Sequence, residues 1–576
     1  MSSLFLAAGC AVAYLVAYHT YGRFLASKIF ALDPNATTPA NKMSDGTDYV
    51  PTKKEILFGH HYTSIAGTGP IVGPAIGIIW GWVPALIWVI FGCIFMGAVH
   101  DFGALVVSMR NQGKSIGDIA GNTISPRVRI AFLAMIALML MIVIAVFCLV
   151  ISSLFNMYPE AVLSIWLEIP IAIWLGHMIY KRGKPGLKYS LIGLVLLYAA
   201  VVAGTQLPIE MVSIGPAGPT VVWTVILLVY AYVASTLPVT RLLQPRDYIN
   251  GHELFVVMGV LALGVVFSRP EIVAPAIDLS PKGAPPMWPF LFITIACGAV
   301  SGFHSLVASG TTSKQISRES HARAIGYGGM LLEGMLAVFV IIAVAGGIGL
   351  LENESGLTGA AAWRDHYAEW GAAKGLPAKV GAFVNGSANM LTFLGIPLVL
   401  GTTIMGVFVA SFAGTTLDTA TRLQRYVITE LSASLRLKPL TNKHAATAVA
   451  VLSAGVLALA DGEGKGGLLL WPLFGATNQL LAALSLLVIT IYLAKRAKPV
   501  VYTLVPFFFM VVMTGWAMAF QLQKFLNDFT RGQGNLHLLI ISSTIVLLEI
   551  WMIAEAAVVL KKGRRIAVEP ADSATS

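Results

Sequence analysis

Long apolar runs recur along the chain between Leu4 and Leu560 and are separated by short polar turns. A helix that crosses a bilayer needs about 20 predominantly apolar residues, because its backbone groups must bond within the helix in hydrocarbon. The pattern therefore predicts an all-α polytopic membrane protein with about 15 transmembrane helices. We expect them at 2–24, 60–80, 82–108, 130–153, 160–180, 187–206, 220–240, 252–268, 288–312, 325–350, 395–421, 443–460, 468–494, 500–522 and 537–560.

Lysine and arginine are concentrated in every second loop. These basic loops lie at 23–54, 110–129, 181–188, 241–246, 314–323, 422–443, 495–498 and 561–565. Because loops rich in Lys and Arg stay on the cytoplasmic side, the alternation predicts an outside N-terminus and a cytoplasmic C-terminus. No basic residue precedes the first apolar run, so we expect a retained span and not a cleaved signal peptide.

The composition excludes a soluble enzyme. Of the 576 residues, 57% are hydrophobic and 11% are charged, whereas a soluble domain carries roughly 25% charged residues. The net charge of +10 lies in the loops between spans, so we expect a lipid bilayer and no nucleic acid as a partner. The four cysteines lack metal-ligand spacing, and the chain has no phosphate-loop motif. We therefore expect no catalytic residues, no cofactor and no metal beyond possible sodium.

The predicted span 60–80 has the highest density of helix breakers, namely Gly67, Gly69, Pro70, Gly73 and Pro74. A helix unwinds at membrane depth only where its backbone lines a protein-enclosed or water-filled cavity. We therefore predict an unwound segment that binds substrate; the alternative is a kinked helix with small residues for close packing. The predicted substrate-binding residues here are His61, Ser64, Gly67, Thr68, Gly69 and Gly73.

A second candidate break lies in the predicted span 220–240, where Pro238 follows Ser235 and Thr236. We expect Tyr232, Ser235 and Thr236 to complete the substrate site. If each break opens a five-helix unit, the two units run in opposite directions, which gives a 5+5 inverted repeat. The predicted divisions are an N-terminal span and loop at 1–59, repeats at 60–210 and 218–424, accessory spans at 425–565 and a disordered cytoplasmic tail at 566–576. The first part of 381–424 is expected to be re-entrant or to lie flat on the outer surface.

Two rows of hydroxyl side chains could hold a coupling ion. We expect Ser309, Thr311 and Thr312 to coordinate Na⁺ together with the backbone carbonyl of Ala66, because a hard cation prefers oxygen ligands. A second row at 411–416 competes for this role. In the alternative interpretation, the hydroxyls bond to the carbonyl four residues earlier in their own helix.

Ionisable residues inside the predicted spans are few, and each is a candidate for function because its burial is costly. The predicted proton-coupling residues are Asp101, His304, Glu333 and Asp418. His304 shares its helix with the first hydroxyl row, and an imidazole with an ordinary pKa of about 6.5 suits proton exchange. The alternatives are a packed, hydrogen-bonded histidine and, for Asp418, a surface pair with Arg422.

Several longer runs carry a family pattern: Leu57–His61 with the Gly/Pro-rich helix after it, Gln244–Tyr248, Phe290–His304, Ser309–Thr312, Ile325–Glu333 and Leu470–Gly475 with Asn478 and Gln479. Over nearly the whole chain they resemble the carbon starvation protein A family. The resemblance implies a bacterial inner-membrane carrier of the amino acid–polyamine–organocation (APC) superfamily, with the leucine-transporter fold. It also implies peptide uptake during carbon starvation or proton-coupled pyruvate uptake. Compared with longer members, we expect this chain to lack an extra N-terminal segment and to have a short loop at 351–380.

These features favour a symporter that takes up small carboxylate nutrients, short peptides or pyruvate, driven by a gradient of H⁺ or Na⁺. Half-helix N-termini at a break favour a substrate carboxylate. The alternatives are a nutrient-sensing receptor, for which no effector domain is visible, and a channel lined by the hydroxyl rows. The sequence leaves open peptide against pyruvate, proton against sodium, and the oligomeric state.

Overall fold

The computed structural model describes residues 3–370, 376–469, 471–532 and 536–563, and its regular secondary structure there is helical apart from isolated bridges such as Thr52 with Ile316. Its helices are α1 Ser3–His19, α2 Tyr21–Phe24, α3 Pro39–Lys42, α4 Lys54–Ile65, α5 Gly69–Gly77, α6 Trp82–Gly92, α7 Ala98–Met109, α8 Ile116–Thr123, α9 Pro126–Met157, α10 Pro159–Gly176, α11 Gly186–Gly204, α12 Pro219–Thr236, α13 Leu243–Ser268, α14 Met287–Thr294, α15 Gly302–Gly310, α16 Gly329–Ala345, α17 Gly359–His366, α18 Leu376–Thr392, α19 Leu398–Ser434, α20 Lys443–Ala458, α21 Trp471–Ala494, α22 Val501–Thr530 and α23 Leu536–Gly563. The expected all-α membrane protein is confirmed.

Twelve helices of the described chain are long and apolar enough to cross a membrane, so the predicted count of about 15 is not confirmed. Three predicted spans account for the difference. The span 60–80 is a pair of helices bent by 41°, and the span 288–312 consists of the two short helices α14 and α15. The span 443–460 is α20, whose 16 residues reach less far than the roughly 30 Å of a hydrocarbon core.

The second interruption lies elsewhere than the sequence predicted. Helix α12 is continuous, and Ser235 and Thr236 form its last turn, so the break predicted within 220–240 is wrong. Pro238 follows the end of that helix and interrupts nothing. The chain instead leaves helical geometry between Thr294 and Gly302, where small apolar residues give no proline signal.

The segment 381–424, whose first part was expected to be re-entrant or to lie flat, belongs to two helices, α18 and α19, joined by a turn at 393–397. Helix α18 packs against α5, α13 and α16 as well as α19. Its first part therefore contacts the interrupted span 60–80, which the sequence alone did not predict.

The basic loops meet at one end of the helix bundle, which we call the basic end. There Arg110 pairs with Glu319, Nη1 of Arg422 lies 2.8 Å from Oδ1 of Asp48, and Gln244 donates to Thr52 over 2.9 Å. The loops poor in lysine meet at the opposite end, where the amide of Trp82 donates to the carbonyl of Pro275. The predicted tail at 566–576 lies outside the described residues.

The interrupted span 60–80 lies in the interior. Its first half, α4, packs against α13, α16 and α19, and its second half, α5, packs against α14, α16 and α18. Residues 476–493 of α21 are all buried, as expected of a helix that is hydrophobic on all sides. The two half-helices are thus surrounded by protein, where unwound backbone is tolerated.

Candidate functional site

The two interrupted helices meet at their breaks. Helix α4 ends at Ile65 and α5 begins at Gly69. A Cβ atom on Gly69 would lie 2.4 Å from Cβ and Sγ of Cys297, and one on Gly73 would lie 2.8 Å from the carbonyl oxygen of Thr294. Glycine is needed at both positions because only a hydrogen atom fits between the two backbone segments.

A cavity of about 470 Å³ opens against this junction, and we call it the junction cavity. Gly69, Gly73 and Cys297 line its inner wall, and aromatic rings line much of the remainder. The charged lining residues in the described chain are Lys379, which is 2% exposed, and Lys524. The junction cavity is thus largely apolar with two basic lining residues, an environment that suits a small organic anion.

A buried cluster of four ionisable side chains lies between α7, α15 and α16, and we call it the histidine network. It consists of His100, Asp101, His304 and Glu333, all fully buried. Nδ1 of His304 lies 3.1 Å from Oδ2 of Asp101, and its Nε2 lies 3.5 Å from Oε2 of Glu333. Nδ1 of His100 lies 2.8 Å from the other oxygen of Asp101. Three of the four predicted proton-coupling residues therefore form one cluster.

The histidine network can redistribute protons internally. Two carboxylates face two imidazoles, so protonation of both histidines balances both negative charges inside the protein. Neither oxygen of Glu333 has a hydrogen-bond partner in the described structure, and Nε2 of His304 and of His100 also have none. Because a lone buried charge is costly, a proton that enters or leaves here changes the energy of the surrounding helices.

A second buried cluster, the arginine network, holds the fourth predicted residue, Asp418. Nη1 of Arg246 lies 2.7 Å from Oδ2 of Asp418, and Glu168 and Asp247 lie 3.7 and 3.9 Å from the same guanidinium. Asp418 is 2% exposed, and the hydroxyl of Tyr230 donates to it over 2.8 Å. The alternative interpretation, in which Asp418 forms a surface pair with Arg422, is therefore wrong.

Adjacent histidines on α4 contact different sides of the interior. Nδ1 of His60 lies 2.5 Å from Oδ2 of Asp247, in the arginine network. Nδ1 of His61 lies 2.9 Å from Oγ1 of Thr312, and its ring lies beside Gly329 at the start of α16. A movement of α4 would therefore change contacts on both sides at once.

The two hydroxyl rows differ in what they face. The hydroxyl of Ser309 donates to the carbonyl of Ser305 over 2.6 Å, and that of Thr311 donates to Val307 over 3.1 Å, which is the self-bonded alternative. On the helix of the second row, just beyond it, the hydroxyl of Thr419 lies 3.2 Å from the hydroxyl of Ser64. A Cβ on Gly67 would lie 2.2 Å from the hydroxyl of Thr416, so this row contacts the unwound segment.

The predicted substrate residues on α12 lie away from the junction cavity. Helix α12 packs on α9, α19 and α20, and the hydroxyls of Ser235 and Thr236 donate to carbonyls of their own helix. Tyr232 reaches His444, 3.4 Å away. On the first interrupted span, Ala66 and Thr68 belong to the unwound segment and are buried. The described residues contain no group of three or more His, Cys, Asp or Glu that could hold a metal ion.

Sequence reasoning missed Lys379, Lys524, Glu168 and Arg246. Lys379 lies within an apolar helix that the sequence analysis did not count as a separate element. Arg246 was visible as a charge inside the run Gln244–Tyr248, but it was assigned to a cytoplasmic loop. Cys297 belongs to the four cysteines for which the sequence predicts no metal-binding role, and it lines the junction cavity.

Comparisons with known proteins agree on one family. The family model for carbon starvation protein CstA matches residues 2–517. The peptide transporter CstA of Campylobacter jejuni is 34% identical, over 89% of this chain and 79% of that protein. The peptide transporter CstA of Escherichia coli is 32% identical, over 90% and 82%. The pyruvate/proton symporter BtsT of Escherichia coli is 33% identical, over 91% and 82%.

Among solved structures, a variant of the manganese transporter of Eremococcus coleocola aligns over 91% of this chain and 99% of that chain. The TM-score is 0.44 and the identity is 13%. A likeness this distant bears on neither the fold nor the substrate.

Proposed function

The chain belongs to the carbon starvation protein CstA family, and on this premise we propose that it takes up a small carboxylate nutrient by proton symport. Short peptides and pyruvate are the substrates we consider, with uptake during carbon starvation across the bacterial inner membrane. The relatives are named as transporters, which confirms the expectation that the chain is not an enzyme. The family resemblance seen in the sequence is also confirmed.

The observation that carries the proposal is the junction cavity with its buried lysine. Lys379 is a basic side chain in the lining of the same cavity as Gly69 and Cys297, the two residues at which the interrupted helices meet. An ammonium group in an apolar cavity strongly favours a carboxylate over a neutral ligand. Pyruvate and the C-terminus of a peptide both carry a carboxylate, so both substrates suit this position.

Proton coupling is supported by the position of the histidine network. His304 lies in the first turn of α15, directly after the interruption that contributes Cys297 to the cavity. A substrate at the break and a proton on His304 therefore act on the same short helix. We propose that loading both sites permits this helix to move with α4.

We also propose that the two interrupted spans head the two halves of a leucine-transporter-like inverted repeat, as in the APC superfamily. The first half starts with α4 at the basic end, and the second starts with α14 at the opposite end. This proposal moves the second repeat from 218 to 287 and makes α12 and α13 an insertion between repeats. Substrate access would then alternate as one half rocks against the other.

Sodium is a second candidate for the coupling ion, because hydroxyls surround the unwound segment. Ser64 and Thr419 lie 3.2 Å apart, and Thr416 lies against Gly67. Oxygen ligands of this kind suit a hard cation. Comparing uptake under a proton gradient with uptake under a sodium gradient distinguishes the two coupling ions.

The test is uptake of labelled pyruvate and labelled dialanine into proteoliposomes, under an inward proton gradient and separately under a sodium gradient. We expect accumulation of one substrate under the proton gradient. Lys379→Gln should raise KM about tenfold, which corresponds to about 1.4 kcal/mol, and Lys379→Arg should recover part of the affinity. Lys282→Gln is the matched control, since Lys282 is exposed and pairs with Glu369 outside the cavity.

The outcomes distinguish the alternatives. No accumulation of either substrate under any gradient would refute the symporter. Currents far above carrier turnover would indicate a channel, and ligand binding without flux would indicate a receptor. Unchanged KM in Lys379→Gln, with normal transport, would refute the substrate site and leave the transporter assignment intact.

A further inference from the structure

A second cavity, of about 1200 Å³, lies apart from the junction cavity. Helix α1, the start of α4, the turn at 179–187, α13 and the start of α16 form its walls. We propose that this cavity, the lateral groove, binds an anionic phospholipid. The acyl chains lie between the helices, and the phosphate lies on the lysines at the basic end.

The lateral groove is open to the hydrocarbon of the bilayer. Three of its apolar lining side chains are strongly exposed: Leu15 by 60%, Leu187 by 57% and Phe255 by 49%. These residues come from α1, α11 and α13, so the opening lies between these helices. Exposed apolar side chains around an indentation in a membrane-spanning bundle contact lipid chains, since nothing polar is present at that depth.

The polar rim of the groove is positively charged. Lys53, Lys54 and Lys184 line it, against the acidic lining residue Glu55. The turn with Lys184 lies beside the start of α4, because a Cβ on Gly186 would lie 3.9 Å from Cδ1 of Ile56. A basic pocket between membrane helices at the end of the spans matches the phosphate of an anionic lipid.

The groove and its charge together select the ligand. A soluble anion would use the lysines but would not fill the apolar walls, and a zwitterionic lipid would fill the walls without a net charge for the lysines. An anionic phospholipid satisfies both. The groove also reaches Gly59, which precedes His60 on α4, so the lipid would contact the first half of the interrupted span.

The test is native mass spectrometry of the purified full-length chain with phosphatidylglycerol or phosphatidylcholine of the same acyl chains. We expect the wild-type protein to retain phosphatidylglycerol about tenfold more than phosphatidylcholine. The triple variant Lys53→Gln, Lys54→Gln and Lys184→Gln should reduce retention of phosphatidylglycerol to the level of phosphatidylcholine. The matched control is Lys28→Gln, Lys438→Gln and Lys443→Gln, which removes the same charge from exposed lysines that do not line the groove.

A second variant tests the apolar walls without a change of charge. Leu332→Trp, in a lining position of the groove, should lower retention of phosphatidylglycerol while the thermal unfolding temperature stays near that of the wild type. Equal retention of the two lipids by the wild type would overturn the proposal. So would equal retention by the triple variant and its control, or displacement of the lipid by pyruvate or dialanine, which would make the groove a substrate route.

Discussion

At Gly69 no side chain larger than a hydrogen atom fits between the two interrupted helices. The position lies at the start of α5, where alanine is compatible with helical backbone. A larger side chain at Gly69 is therefore excluded by contact with Cys297, which lies in the second interruption, and not by the local backbone conformation. This contact is invisible in the sequence, where the two residues are more than 200 positions apart.

We predict that Gly69→Ala lowers uptake about tenfold or more, because its methyl group would lie 2.4 Å from Cβ and Sγ of Cys297. Adding Cys297→Gly should restore much of the activity, since it removes both clashing atoms. Gly414→Ala is the control, because nothing lies within 4 Å of its Cβ position. Full uptake by Gly69→Ala in proteoliposomes, with normal amounts in the membrane, would contradict the close contact.

His304 is the residue of the histidine network that contacts both Asp101 and Glu333. We predict that His304→Gln abolishes accumulation against a gradient, while exchange of labelled for unlabelled substrate continues. The physical reason is that glutamine can fill the space but cannot carry a proton between the carboxylates.

The control for this prediction is His177→Gln, since His177 is exposed on its helix. Both variants are compared in proteoliposomes, by gradient-driven uptake as a function of pH and by counterflow. An unchanged pH profile in His304→Gln would return His304 to a packing role.

At the scale of elements, the loop before α4 is fastened to α19 by one carboxylate. Oδ1 of Asp48 lies 2.8 Å from Arg422 and 3.1 Å from Arg425. Burial by itself raises the pKa of Asp48, but the two guanidinium groups and the Tyr426 hydroxyl outweigh it and lower the pKa to about 2. The charged form of this carboxylate therefore stabilises the folded protein.

We predict that Asp48→Asn lowers stability at pH 7 by roughly 2 kcal/mol, from a depression of about 2 pKa units relative to a free carboxyl. The sign follows from the depressed pKa: the contribution is complete above about pH 4 and is lost as the pH falls towards 2. Thermal unfolding of wild type and variant should therefore differ at pH 7 and 5 and converge near pH 2. Glu210→Gln, at an exposed position, is the control, and a difference that grows on acidification would contradict the assignment.

At the scale of the whole molecule, the basic loops share one end, and we propose that this end is cytoplasmic. The positions flanking α11 test the proposal, since Lys188 is at the basic end and Glu210 follows the helix at the opposite end, both exposed. In intact cells, a membrane-impermeant thiol reagent should label Glu210→Cys and spare Lys188→Cys until the cells are permeabilised. The native cysteines give the background, and the reverse labelling pattern would invert the topology.

The amino-acid sequence by itself determined the class of the protein and the region of its first break. Apolar runs of about 20 residues that recur along a chain are typical of membrane spans, and the glycines and prolines of Gly67–Pro74 weaken a helix that would run through all of them without a break. The ionisable residues Asp101, His304 and Glu333 were also identifiable, because a charge among apolar residues stands out locally. All of these inferences depend on neighbours in the chain.

The tertiary structure decided which of these groups meet. A helix face that packs on protein and one that faces lipid are both apolar, so the sequence does not show how each helix is rotated. For that reason the contacts of His304 with Asp101 and Glu333, the pair of Arg246 with Asp418, and the place of Lys379 in the junction cavity could not be predicted. The second interruption, between Thr294 and Gly302, holds the single glycine Gly298 and no proline, and only the structure shows that it meets Gly69 and Gly73.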